Sequence, residues 1–276
     1  MTSNGAPAGS VEPAEIDTSV AHAARVYDYL LGGRANFKVD REAAELLYAT
    51  WPGGVDGVRA DVRQSRAALG RVVRYFARDS GVTQFLDIGT GIPKQNNVHE
   101  VAQHEAADAR IVYVDNDPVV LAHAHQLLRG TDEGVIRYIY GDLRNPAPIL
   151  REAAKTLDFS RPVAVILFGI LHLFSDADNP RGVVDALVAP LAAGSGLAVS
   201  HLGQDLQSAE VAETFKQVNS RMAEQVTLRT HDEVAALLGG LDIVEPGVVP
   251  ASHWRPDLGA AVGASQVWVA VARKAG

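Results

Sequence analysis

Apolar positions along this chain change their period once, near Gly81. Before that point they recur at helical spacing. From Thr18 onward, Val20, Ala23, Ala24, Tyr27, Leu30 and Leu31 fall three and four apart, which gathers them on one helical face. Gly32-Gly33 is a C-terminal stop for that helix. Asp40 is placed to cap a second helix through Leu47 and Tyr48, and Trp51-Pro52-Gly53-Gly54 breaks it. Val58, Val62, Leu69, Val72, Val73 and Phe76 predict a third helix, from about Val55 to Arg78. Residues 1–16 carry Ala, Gly, Pro, Ser and Glu without apolar period, and read as a mobile tail. The pattern therefore divides the chain into a tail (1–16), an N-terminal helical cap (17–80) and a larger domain (81–276).

After Gly81, short strand-like runs alternate with helical ones. The predicted strands are 84–88, 110–114, 135–140, 163–168, 196–200, 242–249 and 266–272. Asn97 with Glu100, and Thr230 with Glu233, are the capping boxes of two intervening helices. Such alternation predicts an α/β fold with a doubly wound, mostly parallel sheet. Only a loop rich in Pro, Gly and Ser separates the last two strands, which predicts an antiparallel pair at one edge.

Composition narrows the class. With 276 residues, 47% of them hydrophobic, the chain can bury one large core. It has no cysteine, so disulfides and cysteine-ligated metals are excluded. A formal net charge of -8 repels phosphate backbones and disfavours a nucleic-acid partner. The longest apolar run, Val163 to Leu171, is too short to span a bilayer, and no secretory signal is visible. A soluble, cytoplasmic protein is the expectation.

Candidate chemistry sits at the predicted strand ends. Phe85-Leu86-Asp87-Ile88-Gly89-Thr90-Gly91 ends the first strand in an acidic residue and a Gly-x-Gly turn. Asp115-Asn116-Asp117-Pro118 ends the second, and Gly141-Asp142-Leu143 the third. Asp87, Asp115 and Asp142 are 28 and 27 positions apart, each step close to one strand–helix–strand unit of roughly 30 residues. Parallel α/β sheets bind ligands at this end of their strands. Asp115 is placed to accept both ribose hydroxyls of a nucleoside, whereas Asp117 before Pro118 is a helix cap. Asp142 and the amide of Leu143 suit an adenine edge. A dinucleotide would want a third glycine leading straight into a helix. Here that position is Lys94 after Pro93, and the next helix begins near Asn97. The acidic Asp87 also suits a cationic cofactor better than a pyrophosphate.

Taken in order, these three segments resemble the successive motifs of class I S-adenosylmethionine methyltransferases. Residues 25–33 (Arg25 to Gly33), Asn36-Phe37, residues 97–100 (Asn97 to Glu100) and Leu171-His172 resemble a narrower bacterial family of such enzymes. The likeness runs from about Ser19 to the end. Pro93 departs from the general pattern, which often has glycine there. The resemblance implies a Rossmann-like methyltransferase fold of seven strands with the last antiparallel, and a helical cap beside the cofactor mouth. It implies S-adenosyl-L-methionine as cofactor, S-adenosyl-L-homocysteine as product, and a small-molecule acceptor attacking through O, N or C. It makes the segment from Tyr27 to Phe37 part of the binding wall, with Gly32, Gly33, Arg34 and Asn36 in reach of the methionine end; Tyr27 fits either a cofactor contact or core packing on its helix face. Asp87, Gly89, Thr90, Gly91, Asp115, Asn116, Gly141, Asp142, Leu143 and Phe168 complete the expected cofactor set.

His172 follows the fourth strand and His201 the fifth. Either can serve as a general base, since an ordinary histidine titrates near neutral pH. Methyl transfer to a good nucleophile also proceeds without one. Phe174, His201, Trp254 and Arg255 are the candidates to line the acceptor pocket. No residues have convincing metal-ligand spacing. Two other functions fit some of these residues: a non-catalytic S-adenosylmethionine-binding protein, and an NAD(P)-dependent oxidoreductase.

Overall fold

The structure is a computed structural model and describes residues 17–93, 96–127, 129–260 and 262–276. The predicted tail and the Lys94 position lie outside these residues. Three helices come first: α1 (Ala23–Leu30), α2 (Lys38–Thr50) and α3 (Gly54–Arg74). A wide turn, Tyr75–Asp79, follows α3, where the apolar stripe predicted continuous helix to Arg78. The first helix starts later than its apolar pattern. Ala21 is instead bridged to Met222, with its N–H donating to Arg221 O at 3.1 Å. Asp40 does not occupy the cap position expected of it. It lies in the first turn of α2, and its carboxylate accepts the N–H groups of Phe37 (2.7 Å) and His22 (2.9 Å). One buried carboxylate thus fixes the entries to α1 and α2 together.

The strands and helices then alternate as β1 (Gln84–Ile88), α4 (Val98–Glu105), β2 (Arg110–Asp115), α5 (Pro118–Leu127), β3 (Val135–Tyr140) and α6 (Pro146–Ala153). They continue as β4 (Ala164–Phe168), α7 (Pro180–Val188), β5 (Gly196–Leu202), α8 (Ala209–Asn219) and α9 (His231–Leu237). Three strands close the chain: β6 (Asp242–Ile243), β7 (Val249–Pro250) and β8 (Val267–Arg273). Both capping boxes form. Glu100 accepts the N–H of Asn97 at 2.8 Å, and Glu233 that of Thr230 at 2.8 Å.

The sheet has eight strands rather than seven, in the order β3-β2-β1-β4-β5-β8-β6, with β7 also on β8. The extra strand comes from splitting the predicted 242–249 strand. Both pieces lie along β8, but Pro246 has no N–H to donate to the ladder and Gly247 takes a φ of +94°. β1 to β5 are parallel, and β8 is antiparallel to β5, as predicted for this edge. Strand order reverses between β1 and β4, so the crevice lies beyond their C-terminal ends. β1 and β4 carry apolar side chains on both faces. Leu86 and Val165 join one core layer, Phe85 and Ile166 the other. A third apolar cluster joins the cap to α8, through Leu47, Trp51, Val58 and Phe215.

Candidate functional site

Beyond the C-terminal ends of β1, β2 and β4, under α1–α3, lies a cavity of about 230 Å³. Its floor is the Gly-x-Gly turn after β1. Gly89 and Gly91 have φ of +76° and +64°, values that glycine adopts freely. A Cβ at Gly91 would meet no heavy atom, whereas one at Gly89 would run into Ile170. Space above Gly91 is therefore open for a ligand. The turn is tied to β2: the N–H of Gly89 donates to Val114 O at 2.9 Å, and the Thr90 hydroxyl reaches the same oxygen at 3.2 Å.

Asp115 ends β2 and is held from two sides. Its Oδ2 accepts the N–H of Gly91 at 2.8 Å, and its Oδ1 that of Asp117 at 2.9 Å. Burial raises its pKa against these two bonds. Asp117 caps α5 by accepting the N–H of Val119 at 2.8 Å. Asp142 takes the N–H of Arg144 at 2.9 Å, and the Arg144 guanidinium lies over the Phe174 ring. Gly141 is needed in this turn, because a Cβ there would press on Ile149. Asp87 is buried, and that burial lifts its pKa to about 7, with Arg66 opposing and Asp115 adding to the rise.

The cavity brings together Tyr27, Asp87, Gly89, Thr90, Gly91, Asp115, Asn116, Gly141, Asp142, Leu143, Phe168, His172 and Phe174. It does not include Gly32, Gly33, Arg34 or Asn36. Their loop is tied to α1 instead: Asp28 accepts the Gly33 N–H through its backbone oxygen, and the Ala35 N–H and Asn36 Nδ2 through its carboxylate, each at 2.8 Å. Arg34 is exposed, and Gly32 lines a separate small pocket with Arg59 and Arg63.

The two histidines differ. His172 sits on a 3₁₀ turn after β4, and its buried Nδ1 has no hydrogen-bond partner. Burial, with His201 and Arg229 beside it, lowers its pKa to about 3, so the ring is neutral. His201 is fully buried outside the cavity lining. Its Nδ1 lies 2.9 Å from Leu202 O and its Nε2 3.0 Å from Arg229 Nη1. A guanidinium only donates, so Nε2 accepts and Nδ1 carries the proton. Both nitrogens are occupied, which removes His201 as a base and as an acceptor contact. Trp254 is buried against Tyr75, and Arg255 lies over the same ring; neither lines the cavity.

Several lining residues gave no signal in the sequence. His22 stands between Asp117 (Nδ1 to Oδ2, 3.2 Å) and Glu224 (Nε2 to Oε1, 3.3 Å). Burial disfavours its charge, but Glu224 and Asp117 outweigh that and raise its pKa. Trp51, Asp61, Val62 and Phe215 line the part of the cavity built by the cap and α8. Among the described residues, no side chains are grouped to hold a metal ion, and no helix is long and apolar enough to cross a membrane.

Comparison with known proteins places the chain in a family. A family model described as S-adenosyl methyltransferase matches residues 9–275. A DUF574 family protein from Streptomyces avermitilis is 40% identical, with a TM-score of 0.88 over 94% of this chain and 100% of that one. A putative methyltransferase from Thermobifida fusca is 35% identical, with a TM-score of 0.84 over 97% of this chain and 100% of that one. Human N-acetylserotonin methyltransferase, solved in complex with SAM, shares the fold at 17% identity and a TM-score of 0.50, over 91% of this chain and 62% of that one. No curated protein matches the chain.

Proposed function

The chain belongs to the S-adenosyl methyltransferase family, and from that premise we propose which residues hold the cofactor and what kind of acceptor the enzyme takes. The protein is an S-adenosylmethionine-dependent methyltransferase. Its cofactor supplies, when bound, a sulfonium methyl that passes to the acceptor's nucleophilic atom while the C–S electron pair stays on sulfur.

Asp115 accepts the two ribose hydroxyls on lone pairs that Gly91 and Asp117 leave free. Asp142 and the Leu143 amide receive the adenine edge, and Leu143 and Phe168 supply apolar contact. Asp87 faces the positively charged end, where its carboxylate gains a cationic partner beyond the opposing charge of Arg66. The open space over Gly91 supports close approach of the ligand to bare backbone.

His172 lines the cavity, and the part of its ring away from the closed-off Nδ1 contacts the acceptor and positions it. At a pKa of about 3 it is too weak a base to hold the departing proton near neutral pH. Alignment in an enclosed site is then the main source of acceleration. The acceptor is a small molecule. The observation that carries this is the cavity itself: carboxylates at the strand ends on one side, apolar side chains of the cap and α8 on the other. A net charge of -8 points away from nucleic acid.

Calorimetry with S-adenosylhomocysteine tests the cofactor site, and absence of binding at high micromolar ligand defeats it. A methyl-transfer screen read by product mass tests the acceptor. Transfer to DNA or RNA, with none to small molecules, overturns that part.

A further inference from the structure

Asp61, on α3, is 7% exposed and opens onto the cavity among Leu47, Trp51, Val58, Val62 and Phe215. Its Oδ2 accepts the Trp51 indole N–H at 2.9 Å, and its Oδ1 the amide of Gln266 at 2.9 Å. The Ser265 hydroxyl adds a third bond. All three donors are neutral, and no cationic side chain is paired with this carboxylate among the described residues. Neutral donors fix its orientation without cancelling its charge, so a buried anion is left facing an apolar chamber. Burial accordingly raises its pKa. The aromatic rings add a second reason for a cation here. The indole that holds Asp61 also packs edge-on against Phe215, with ring centroids 6.2 Å apart, and both rings line the cavity. An ammonium gains from a carboxylate and from aromatic faces at once.

We propose that the methyl acceptor is a small apolar molecule bearing a protonated amine, and that Asp61 anchors this ammonium beside Trp51 and Phe215. The amine is the handle rather than the methylated atom, because a protonated nitrogen has no lone pair to attack with. The nucleophile sits elsewhere on the same molecule, toward Asp87 and His172. This inference rests on the small-molecule reading of the acceptor.

The test uses the full chain saturated with S-adenosylhomocysteine. Phenethylamine, its N-acetyl derivative and phenethyl alcohol are titrated near neutral pH. The amine is expected to bind about tenfold more tightly than either neutral analogue. Asp61→Asn removes the charge and retains an acceptor oxygen, and should bring the three within about twofold while cofactor affinity stays unchanged. Equal binding of the three by the wild-type protein, or binding of none, overturns the inference, and neither result depends on how the variant folds. Failure of S-adenosylhomocysteine itself to bind overturns the cofactor reading instead.

Discussion

The amide of Gly91 donates to the carboxylate of Asp115 at 2.8 Å, so the glycine turn after β1 and the acidic end of β2 are one unit. Each fixes the other before any ligand arrives. Replacing Asp115 by Ala should therefore weaken S-adenosylhomocysteine binding by ~1–3 kcal/mol, the cost of losing hydrogen-bond partners for the ribose and loosening the turn. Calorimetry on the folded variant reads this directly. An unchanged affinity would remove Asp115 from the site.

In its proposed place at the cationic end of the cofactor, Asp87 makes cofactor affinity depend on pH. Its pKa of about 7, raised by burial, means that the ligand-free protein carries much of it protonated below neutrality. A cationic ligand favours the carboxylate, so binding below pH 7 must release a proton. Affinity should rise with pH through about 7 and level off above it. The sign for stability is opposite. The folded pKa lies above the unfolded one, so this group makes the ligand-free protein progressively less stable as pH rises from about 4 to 7. Asp87→Asn should flatten both dependences. Binding isotherms in buffers of different ionisation enthalpy count the proton, and a pH-independent affinity in the wild type would defeat the assignment.

His172 makes a contrasting prediction. With its pKa held near 3 by burial, it carries no charge across the working range. Under saturating cofactor, kcat should show no inflection between about pH 5 and 8 from this residue. His172→Gln keeps a hydrogen-bonding group and should retain more activity than His172→Ala. Equal loss in both variants, or an imidazole signal titrating near 6.5 by NMR, would contradict the positioning role.

Much of the cavity lining was legible because its signals are local. An acidic residue marks the strand end at Asp87, Asp115 and Asp142, with a Gly-x-Gly turn after the first and Gly141 before the third. The edge pairing was also readable, since only a loop with one 3₁₀ turn, Ala251–His253, separates the last strands. The Gly32–Asn36 loop misled because its path is set by one side chain, Asp28, not by its glycines. His201 misled for a related reason. It is the penultimate residue of β5, but Arg229, far along the chain, occupies its second nitrogen. Asp61 and His22 gave no signal at all. Their partners, Gln266 and Glu224, are joined to them only by the fold, and no window of sequence contains both members.

His201 and Arg229 therefore yield a prediction about stability rather than catalysis. His201→Ala leaves a void in a closed region and takes one acceptor from a buried guanidinium. It should lower folding stability by ~1–3 kcal/mol. Arg229 keeps its bonds to Leu171 O, Phe174 O and Asp176, so the turn bearing His172 stays tethered. Affinity for S-adenosylhomocysteine should stay within about twofold of wild type. Chemical denaturation and calorimetry on the same sample separate the two effects, and a stable variant that cannot bind cofactor would return His201 to the site.

His22 joins the segment before α1 to Asp117 at the start of α5 and to Glu224 after α8. The backbone runs alongside: Ala21 and Ala223 are joined by a hydrogen bond of 2.8 Å. Burial works against charge on both His22 and Glu224, but their mutual attraction raises the histidine and lowers the glutamate. A raised histidine pKa contributes stability that is fully present below the unfolded value of 6.5 and is lost as pH rises through the folded value. The glutamate sets the opposite limit, since its share is lost as pH falls through its depressed pKa. The pair is therefore strongest in the window between them. The difference in Tm between the wild type and His22→Gln should be largest near pH 6 and shrink toward pH 9. Thermal melts across that range decide it. A difference that stays constant with pH would mean that His22 contributes packing alone.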